Sequence, residues 1–145
     1  MLLAACGLLQ AARPNFSGDW KLNTGKSDFG AMPAPYSRTD KIMHQDPDLT
    51  DSFTQNGQMG EVSAEMKYST DGKETTNTIH GAPVKTTAKW EGDQLTIDGK
   101  ASLNGSDVTF QDHWSLSPDG KTLTVTRHVN SPMGVTDQKI VLDKQ

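Results

Sequence analysis

Cysteine is nearly absent from this sequence of 145 residues, because its single cysteine is Cys6, close to the amino terminus. The rest of the chain therefore cannot form an internal disulfide bond or a cysteine-ligated metal site. The sequence also lacks the G-x-S-x-G pattern of a nucleophile elbow and the H-E-x-x-H pattern of a zinc site. We therefore predict no catalytic residue, no metal site and no cofactor from motifs.

Positive charge is also scarce. Fourteen Lys and Arg stand against 18 Asp and Glu, which gives a net charge of -4. There is no cluster of basic residues, so nucleic acid is not an expected partner. Beyond the amino terminus, no apolar run reaches the roughly 18 residues that a membrane-spanning helix needs.

The first 13 residues, MLLAACGLLQAAR, differ from the rest of the chain because they are apolar and rich in small side chains. They resemble the apolar and cleavage regions of a secretory signal peptide, as in bacterial secreted proteins. Two alternatives stay open: a lipid anchor at Cys6, whose context LAAC fits bacterial lipoproteins, and an ordinary tail. We expect a periplasmic or extracellular protein in which residues 14–145 form a single domain.

Along nearly the whole chain, apolar and polar residues alternate with the period of two that is typical of β-strands. No long window shows the apolar spacing of an amphipathic helix. Ten alternating runs are separated by short turns rich in Gly, Asn, Asp and Pro. The predicted strands are 16–22, 38–45, 49–55, 61–69, 73–80, 83–90, 94–103, 107–117, 121–130 and 135–143. Residues 23–37 contain two prolines and no alternation, so we predict a loop that crosses one end of the sheet.

Short turns join sequential strands as antiparallel neighbours, and closing the sheet removes its two exposed edges. The sequence therefore predicts an all-β protein. Its fold is an antiparallel up-and-down meander, closed into a barrel of about eight to ten strands. Closure would pair the last strand with the first.

The first predicted strand contains the stretch Gly18-Asp19-Trp20, and a meander follows it. This G-x-W opening strand resembles that of lipocalins and their calycin relatives, including the fatty-acid-binding proteins. The resemblance covers the layout of residues 16–143 and implies a lipocalin-like β-barrel over residues 14–145. It also implies an arginine near Trp20 and an interior arginine that can receive a ligand carboxylate.

Alternation assigns the inward face, because the apolar residues of each predicted strand share one parity. The same parity carries Asp112 and Arg127 inward. Counting back from the turn at 117–120 places Asp112 opposite Arg127, and counting across the next turn places Arg127 opposite Gln138. Directly opposed residues have Cβ atoms about 5 Å apart. The sequence therefore predicts a lateral polar row inside an apolar wall.

Two interpretations of this row stay open, because an unpaired buried charge is costly. In the structural interpretation, Asp112 satisfies Arg127, which caps the barrel floor and stacks on Trp20. In the functional interpretation, Arg127 receives the polar head of an amphipathic ligand, such as a carboxylate.

We expect a monomer that binds a small hydrophobic or amphipathic molecule, a fatty acid or another lipid being an example. The predicted ligand-binding residues are Arg127, Asp112, Gln138, Trp114, Phe110, Tyr68, Trp90, Asn77 and His44. One alternative is an enzyme that uses interior His44 with Asp51 or Asp112 for acid–base chemistry. Another is a filled-core structural or interaction module without a ligand.

Overall fold

The computed structural model describes residues 13–103 and 105–145, in which ten antiparallel strands form one sheet. The strands are β1 (Gly18–Leu22), β2 (Ser37–Gln45), β3 (Asp48–Gly57), β4 (Gly60–Ser69), β5 (Thr75–Ile79), β6 (Ala82–Glu91), β7 (Gln94–Leu103), β8 (Ser106–Leu116), β9 (Thr122–Ser131) and β10 (Gly134–Lys144). The predicted all-β meander is confirmed. Its predicted strand ends differ from these by at most two residues. The residues before 13, including Cys6, lie outside the described part of the chain.

The sheet closes through its first and last strands. The strand order is β4-β3-β2-β1-β10-β9-β8-β7-β6-β5, and Leu22 on β1 lies opposite Leu142 on β10. This pairing confirms the prediction that the last strand joins the first, and it curls the sheet into a nearly closed barrel. In the described ranges, no helix is long and apolar enough to span a bilayer.

The remaining opening is the β4–β5 seam, where the described residues form no backbone ladder. Asn77 on β5 bridges this seam with its buried side-chain amide. The amide donates to the Lys67 carbonyl at 2.9 Å and accepts from the Lys67 N–H at 2.8 Å. The Thr75 hydroxyl donates to the same carbonyl at 2.8 Å. Side-chain groups therefore supply across the seam the hydrogen bonds that peptide groups supply elsewhere.

The G-x-W stretch lies at the beginning of β1, where its glycine and its tryptophan each have a structural role. Gly18 has φ +146°, and a Cβ there would lie 2.9 Å from Cε of Lys144, so glycine fits both the conformation and the space. Trp20 is fully buried, and its indole N–H donates to the Phe16 carbonyl at 2.9 Å. The motif thus joins the opening strand to the segment before it.

An aromatic end of the barrel interior is formed by Phe16, His44 and Trp90. The Phe16 ring stacks on His44 and on Trp90, with centroid distances of 5.6 and 5.9 Å. Trp114 meets Phe16 edge-on at 5.5 Å and Tyr68 edge-on at 6.0 Å. Trp114 therefore separates the aromatic end from the rest of the interior.

The long segment between β1 and β2 runs along the opposite end of the barrel. Asp28 exchanges two backbone hydrogen bonds of 2.7 Å with Lys139 on β10, and the Tyr36 N–H donates to Asn56 on β3. Gly30 has φ +63°, and a Cβ there would lie 2.7 Å from the Asp137 carbonyl oxygen. Glycine at position 30 therefore allows the segment to lie close against β10 before it contacts β3 at Tyr36 and enters β2.

Candidate functional site

A cavity of about 310 Å³ occupies the barrel interior, and nine strands, β2 to β10, contribute to its wall. Most of the wall is apolar and includes Ile42, Met66, Val84, Ala101, Leu123 and Val125. The volume lies at the lower end of the range that is usual for small-molecule sites, roughly 300 to 1,000 Å³. A completely filled core would leave no such space.

Arg127 lines this cavity and forms a bidentate ion pair with Asp112 behind it. Nε and Nη2 of Arg127 donate to the two carboxylate oxygens of Asp112 at 2.8 and 2.9 Å. The two residues are direct cross-strand partners, which confirms the predicted register. Asp112 is 1% exposed, whereas 29% of the Arg127 side chain is exposed. Burial alone would lower the pKa of Arg127, but the Asp112 carboxylate raises it above its ordinary value, so this arginine stays charged.

The guanidinium of Arg127 lies 5.6 Å from the ring centre of Phe110. The cation over Trp20 is instead Lys144, at 5.8 Å, so the expected stacking of Arg127 on Trp20 is wrong. Phe110 faces Gly99 across β7 and β8, and a Cβ at Gly99 would lie 2.1 Å from the Phe110 ring. Glycine therefore allows this ring to lie against the backbone beside the cavity.

A second bidentate ion pair lines the same cavity on β2. Nε and Nη2 of Arg38 donate to the Asp40 carboxylate at 2.8 and 2.9 Å, and Nη1 donates to Gln55 at 3.2 Å. The guanidinium also lies 4.2 Å from the ring centre of Phe53. Burial would lower the pKa of Arg38, but the ion pair with Asp40 raises it.

Asp51 is a third buried carboxyl group at this site. Its Oδ2 lies 4.0 Å from Nη2 of Arg38, and its Oδ1 has no hydrogen-bond partner among the described residues. Burial and the neighbouring Asp40 carboxylate raise the pKa of Asp51 well above its ordinary value of 3.8. We call Arg38, Asp40, Asp51, Asp112 and Arg127 the charged cluster.

Sequence reasoning placed Arg127, Asp112 and Asp51 in the interior but missed Arg38 and Asp40. Both share the parity of Ile42 and His44 on β2, so the alternation rule could have found them. The signal was weak because β2 follows a long segment without alternation, and an arginine at the first residues of a strand is usually exposed.

Tyr68 and Trp114 border the cavity as predicted, together with Phe110 and Arg127. Burial, followed by the charges of Asp51 and Asp112, raises the pKa of the Tyr68 hydroxyl, which therefore remains a neutral phenol. The indole N–H of Trp114 is buried without a hydrogen-bond partner in the described part of the chain. This N–H and Oδ1 of Asp51 are thus buried polar atoms behind the cavity surface.

His44 and Trp90 lie in the aromatic end, outside the cavity wall. Nδ1 of His44 accepts from the Phe16 N–H at 3.1 Å, and Nε2 lies 2.6 Å from Asp46. Both ring nitrogens therefore have partners other than Asp51, which lies opposite Ile42. The structure does not bring His44 and Asp51 together as a base and its orienting carboxylate.

Asn77 and Gln138 also contact protein groups rather than the cavity. Asn77 bridges the β4–β5 seam. Gln138 lies opposite Arg127 as predicted, but its amide donates to the Phe29 carbonyl and to the sulfur of Met32, both at 3.3 Å. Gln138 therefore holds the segment between β1 and β2 against β10.

The sequence matches no protein-family model and no curated protein sequence. Solved structures, however, resemble the barrel over most of its length. A zebrafish ileal bile acid-binding protein, complexed with cholic acid, has a TM-score of 0.63 at 19% identity, over 90% of this chain and 98% of the other. A secretory abundant heat soluble protein from Ramazzottius varieornatus has a TM-score of 0.70 at 14% identity, over 94% and 98%.

The fatty-acid-binding protein of Manduca sexta has a TM-score of 0.51 at 17% identity, over 87% of this chain and 98% of the other. At these identities the likeness concerns the fold. The nearly closed ten-stranded meander and these structural neighbours agree with the resemblance of the G-x-W strand. The chain has the calycin fold of the lipocalin and fatty-acid-binding-protein type.

Proposed function

We propose that this protein binds a small lipophilic or amphipathic molecule, of the size of a fatty acid or a similar lipid, inside the barrel. The observation that carries the proposal is the cavity of about 310 Å³, whose wall is mostly apolar but includes Arg38, Asp40, Asp51 and Arg127 of the charged cluster. An apolar space with a few placed polar groups is the usual form of a small-molecule site. The proteins of similar fold include one named for bile acids and one named for fatty acids.

Four of the predicted residues are proposed to contact the ligand. Phe110, Tyr68 and Trp114 would surround its apolar part, and Arg127 would lie near its polar head. Asp112 would act through Arg127, whose position it fixes by the bidentate ion pair. His44, Trp90, Asn77 and Gln138 would act on the barrel rather than on the ligand, because their polar or aromatic groups contact other protein groups.

A matched pair of substitutions on β7 tests the proposal. Ala101 lines the cavity, whereas its neighbour Ser102 faces solvent. Ala101→Phe would fill the space, so binding of the uncharged dye Nile red should weaken about tenfold or more. Ser102→Phe adds the same ring outside and should leave binding unchanged.

Nile red fluorescence titration gives the affinities, and native mass spectrometry gives the stoichiometry, expected to be one ligand per chain. Circular dichroism checks that both variants are folded. Equal binding by the two variants would place the dye outside the barrel and contradict the proposal.

We further propose that the protein acts as a monomer in the periplasm or outside the cell. The apolar residues 1–13 support this location. Cell fractionation with mass spectrometry of the amino terminus tests the location, since a cytoplasmic protein with intact residues 1–13 would contradict it.

Two further measurements address the lipid anchor and the oligomeric state. Loss of membrane association in Cys6→Ser would identify a lipid anchor. Light scattering after size-exclusion chromatography gives the oligomeric state.

A further inference from the structure

We propose that Gly99 determines the width of the ligand that the cavity admits. Its missing side chain lets the Phe110 ring lie against the wall, and this leaves room for a molecule wider than a single hydrocarbon chain. The inference rests on the proposed function, because it concerns the size of the same cavity. A side chain at position 99 would turn the ring into the cavity and leave space only for a thin, unbranched ligand.

Gly99 lies in the middle of β7, where a glycine weakens a strand because it has no side chain to pack. It faces the interior, since it shares the parity of the fully buried Leu95 and Ile97. It does not have a positive φ, so its backbone conformation does not require glycine. Space, rather than backbone conformation, is therefore the reason that glycine fits this position.

The ring of Phe110 occupies this space. Phe110 lies directly opposite Gly99 on β8, and a Cβ at position 99 would overlap the ring at its far edge, at Cζ, Cε1 and Cε2. Side chains of a strand usually stand roughly perpendicular to the sheet. This ring instead extends sideways over the neighbouring strand, so it forms part of the cavity wall.

The other neighbouring positions on the wall already carry side chains. Phe110 pairs with Val129 on its other side, and its neighbours of the same parity along β8 are Val108 and Asp112. Side chains change direction by moving between a few staggered rotamers. A ring displaced from Gly99 would therefore have to turn away from the wall and into the cavity.

The cavity has room for the displaced ring but not for the ring and a wide ligand together. Its volume of about 310 Å³ already lies at the lower end of small-molecule sites. The ring centre is 5.6 Å from the guanidinium of Arg127, so a ring turned inward would narrow the cavity beside that group. A fused ring system needs a larger cross-section than an unbranched chain and should therefore be affected more.

The test measures Gly99→Ala with two fluorescent probes, Nile red with its fused rings and parinaric acid with its unbranched chain. Nile red should bind about tenfold or more weakly than to the wild-type protein, and parinaric acid less than about threefold more weakly. Gly25→Ala is the matched control, because Gly25 lies outside the cavity wall and a Cβ there would only touch Asn23, at 3.6 Å. Equal losses for both probes, or no loss for Nile red, would overturn the inference.

Removing the ring supplies the decisive comparison. In a Phe110→Ala background the added methyl group has no ring to displace, so Gly99→Ala should change Nile red affinity less than about threefold. A loss as large as that seen with Phe110 present would mean that the methyl group acts on the barrel itself, and the inference would be wrong. Circular dichroism should show a folded Gly99→Ala, since the cavity can receive the ring; an unfolded variant would also overturn the inference.

The two proposals fail differently. If the wild-type protein and Ala101→Phe bind Nile red equally, the dye lies outside the barrel, and the proposed function fails together with the inference. If the dye binds inside the wild-type barrel and Gly99→Ala binds it equally well, the proposed function stands and the inference alone is wrong.

Discussion

The aromatic end and the charged cluster occupy the same barrel but use its interior differently. At the aromatic end, the ring centres of Phe16, His44 and Trp90 lie 5.6 to 5.9 Å from one another, and Phe16 is completely buried. At the charged cluster, a space of about 310 Å³ remains and a buried carboxyl oxygen of Asp51 has no partner among the residues that the structure describes. The comparison indicates that dense side-chain packing at the aromatic end stabilises the barrel. The charged cluster can therefore be packed less densely and leave room for a ligand.

The strongest test of this division is Phe16→Ala. Removing a fully buried ring should lower the free energy of unfolding by about 3–5 kcal/mol, through lost burial and the cavity left behind. Urea denaturation measures the loss. Nile red affinity of the folded variant should stay within about twofold, because Trp114 separates Phe16 from the cavity. A strong loss of affinity in folded protein would show that the two ends are coupled.

Asp112→Ala should be the next most damaging change, at the charged cluster. It leaves Arg127 without its counter-ion, which should cost about 3 kcal/mol, the lower end for buried pairs since Arg127 is partly exposed. The double variant Asp112→Leu with Arg127→Met removes both charges and should recover most of the loss in the same denaturation experiment. No recovery would mean that the pair itself, rather than the orphaned charge, sets the stability.

Asn77→Ala addresses the β4–β5 seam, which lies beside both regions. Two hydrogen bonds to the Lys67 backbone disappear, so the free energy of unfolding should fall by about 1–2 kcal/mol. The Lys67 amide should exchange with solvent faster in hydrogen-exchange mass spectrometry or NMR. Thr78→Ala, at the exposed neighbouring position of β5, is the control and should leave this amide unchanged.

Asp51→Asn probes the charged cluster through pH. Burial and the Asp40 carboxylate raise the pKa of Asp51 in the folded state, so the folded protein binds this proton more tightly than the unfolded chain does. The resulting stabilisation is complete below the unfolded pKa near 3.8 and is lost as pH rises through the folded pKa. The asparagine stays neutral, so the variant should lose less stability than the wild-type protein as pH rises.

Thermal unfolding from about pH 5 to pH 8 measures this difference in slope. The contribution of Asp46 to stability depends on pH in the opposite direction, because its pKa is lowered rather than raised. Although burial acts against it, hydrogen bonds from His44 and Thr70 lower the pKa of Asp46, so its contribution is lost only in stronger acid. Parallel curves for the wild-type protein and Asp51→Asn would contradict the raised pKa of Asp51.

The fold and one ion pair were predictable because local turn chemistry fixes the register of each hairpin. The turn after Leu116 places Leu116 opposite Leu123, and four residues along each strand the same count places Asp112 opposite Arg127. Alternation then assigns both side chains to the interior. For this pair, local sequence contained all the required information.

The rest of the site depends on three-dimensional details that alternation does not encode. Parity places Asn77 and Gln138 inward, but it does not show that Asn77 meets a gap in the ladder or that Gln138 meets a returning loop. Nor does it show how far along the barrel a residue lies. His44 and Asp51 share the interior, yet the histidine contacts Phe16 and Asp46 instead.

The position of the β4–β5 seam also bears on chain order. Reading the sheet from one edge to the other gives β5 through β10 and then β1 through β4. A circular permutant that joins residue 145 to the start of the barrel and opens the chain at residues 70–74 would therefore follow the sheet from edge to edge. Every hydrogen-bonded strand pair would then be adjacent in sequence, and the closing β1–β10 pair would become a local contact. The side-chain hydrogen bonds of Asn77 and Thr75 to Lys67 would instead join the two ends of the chain.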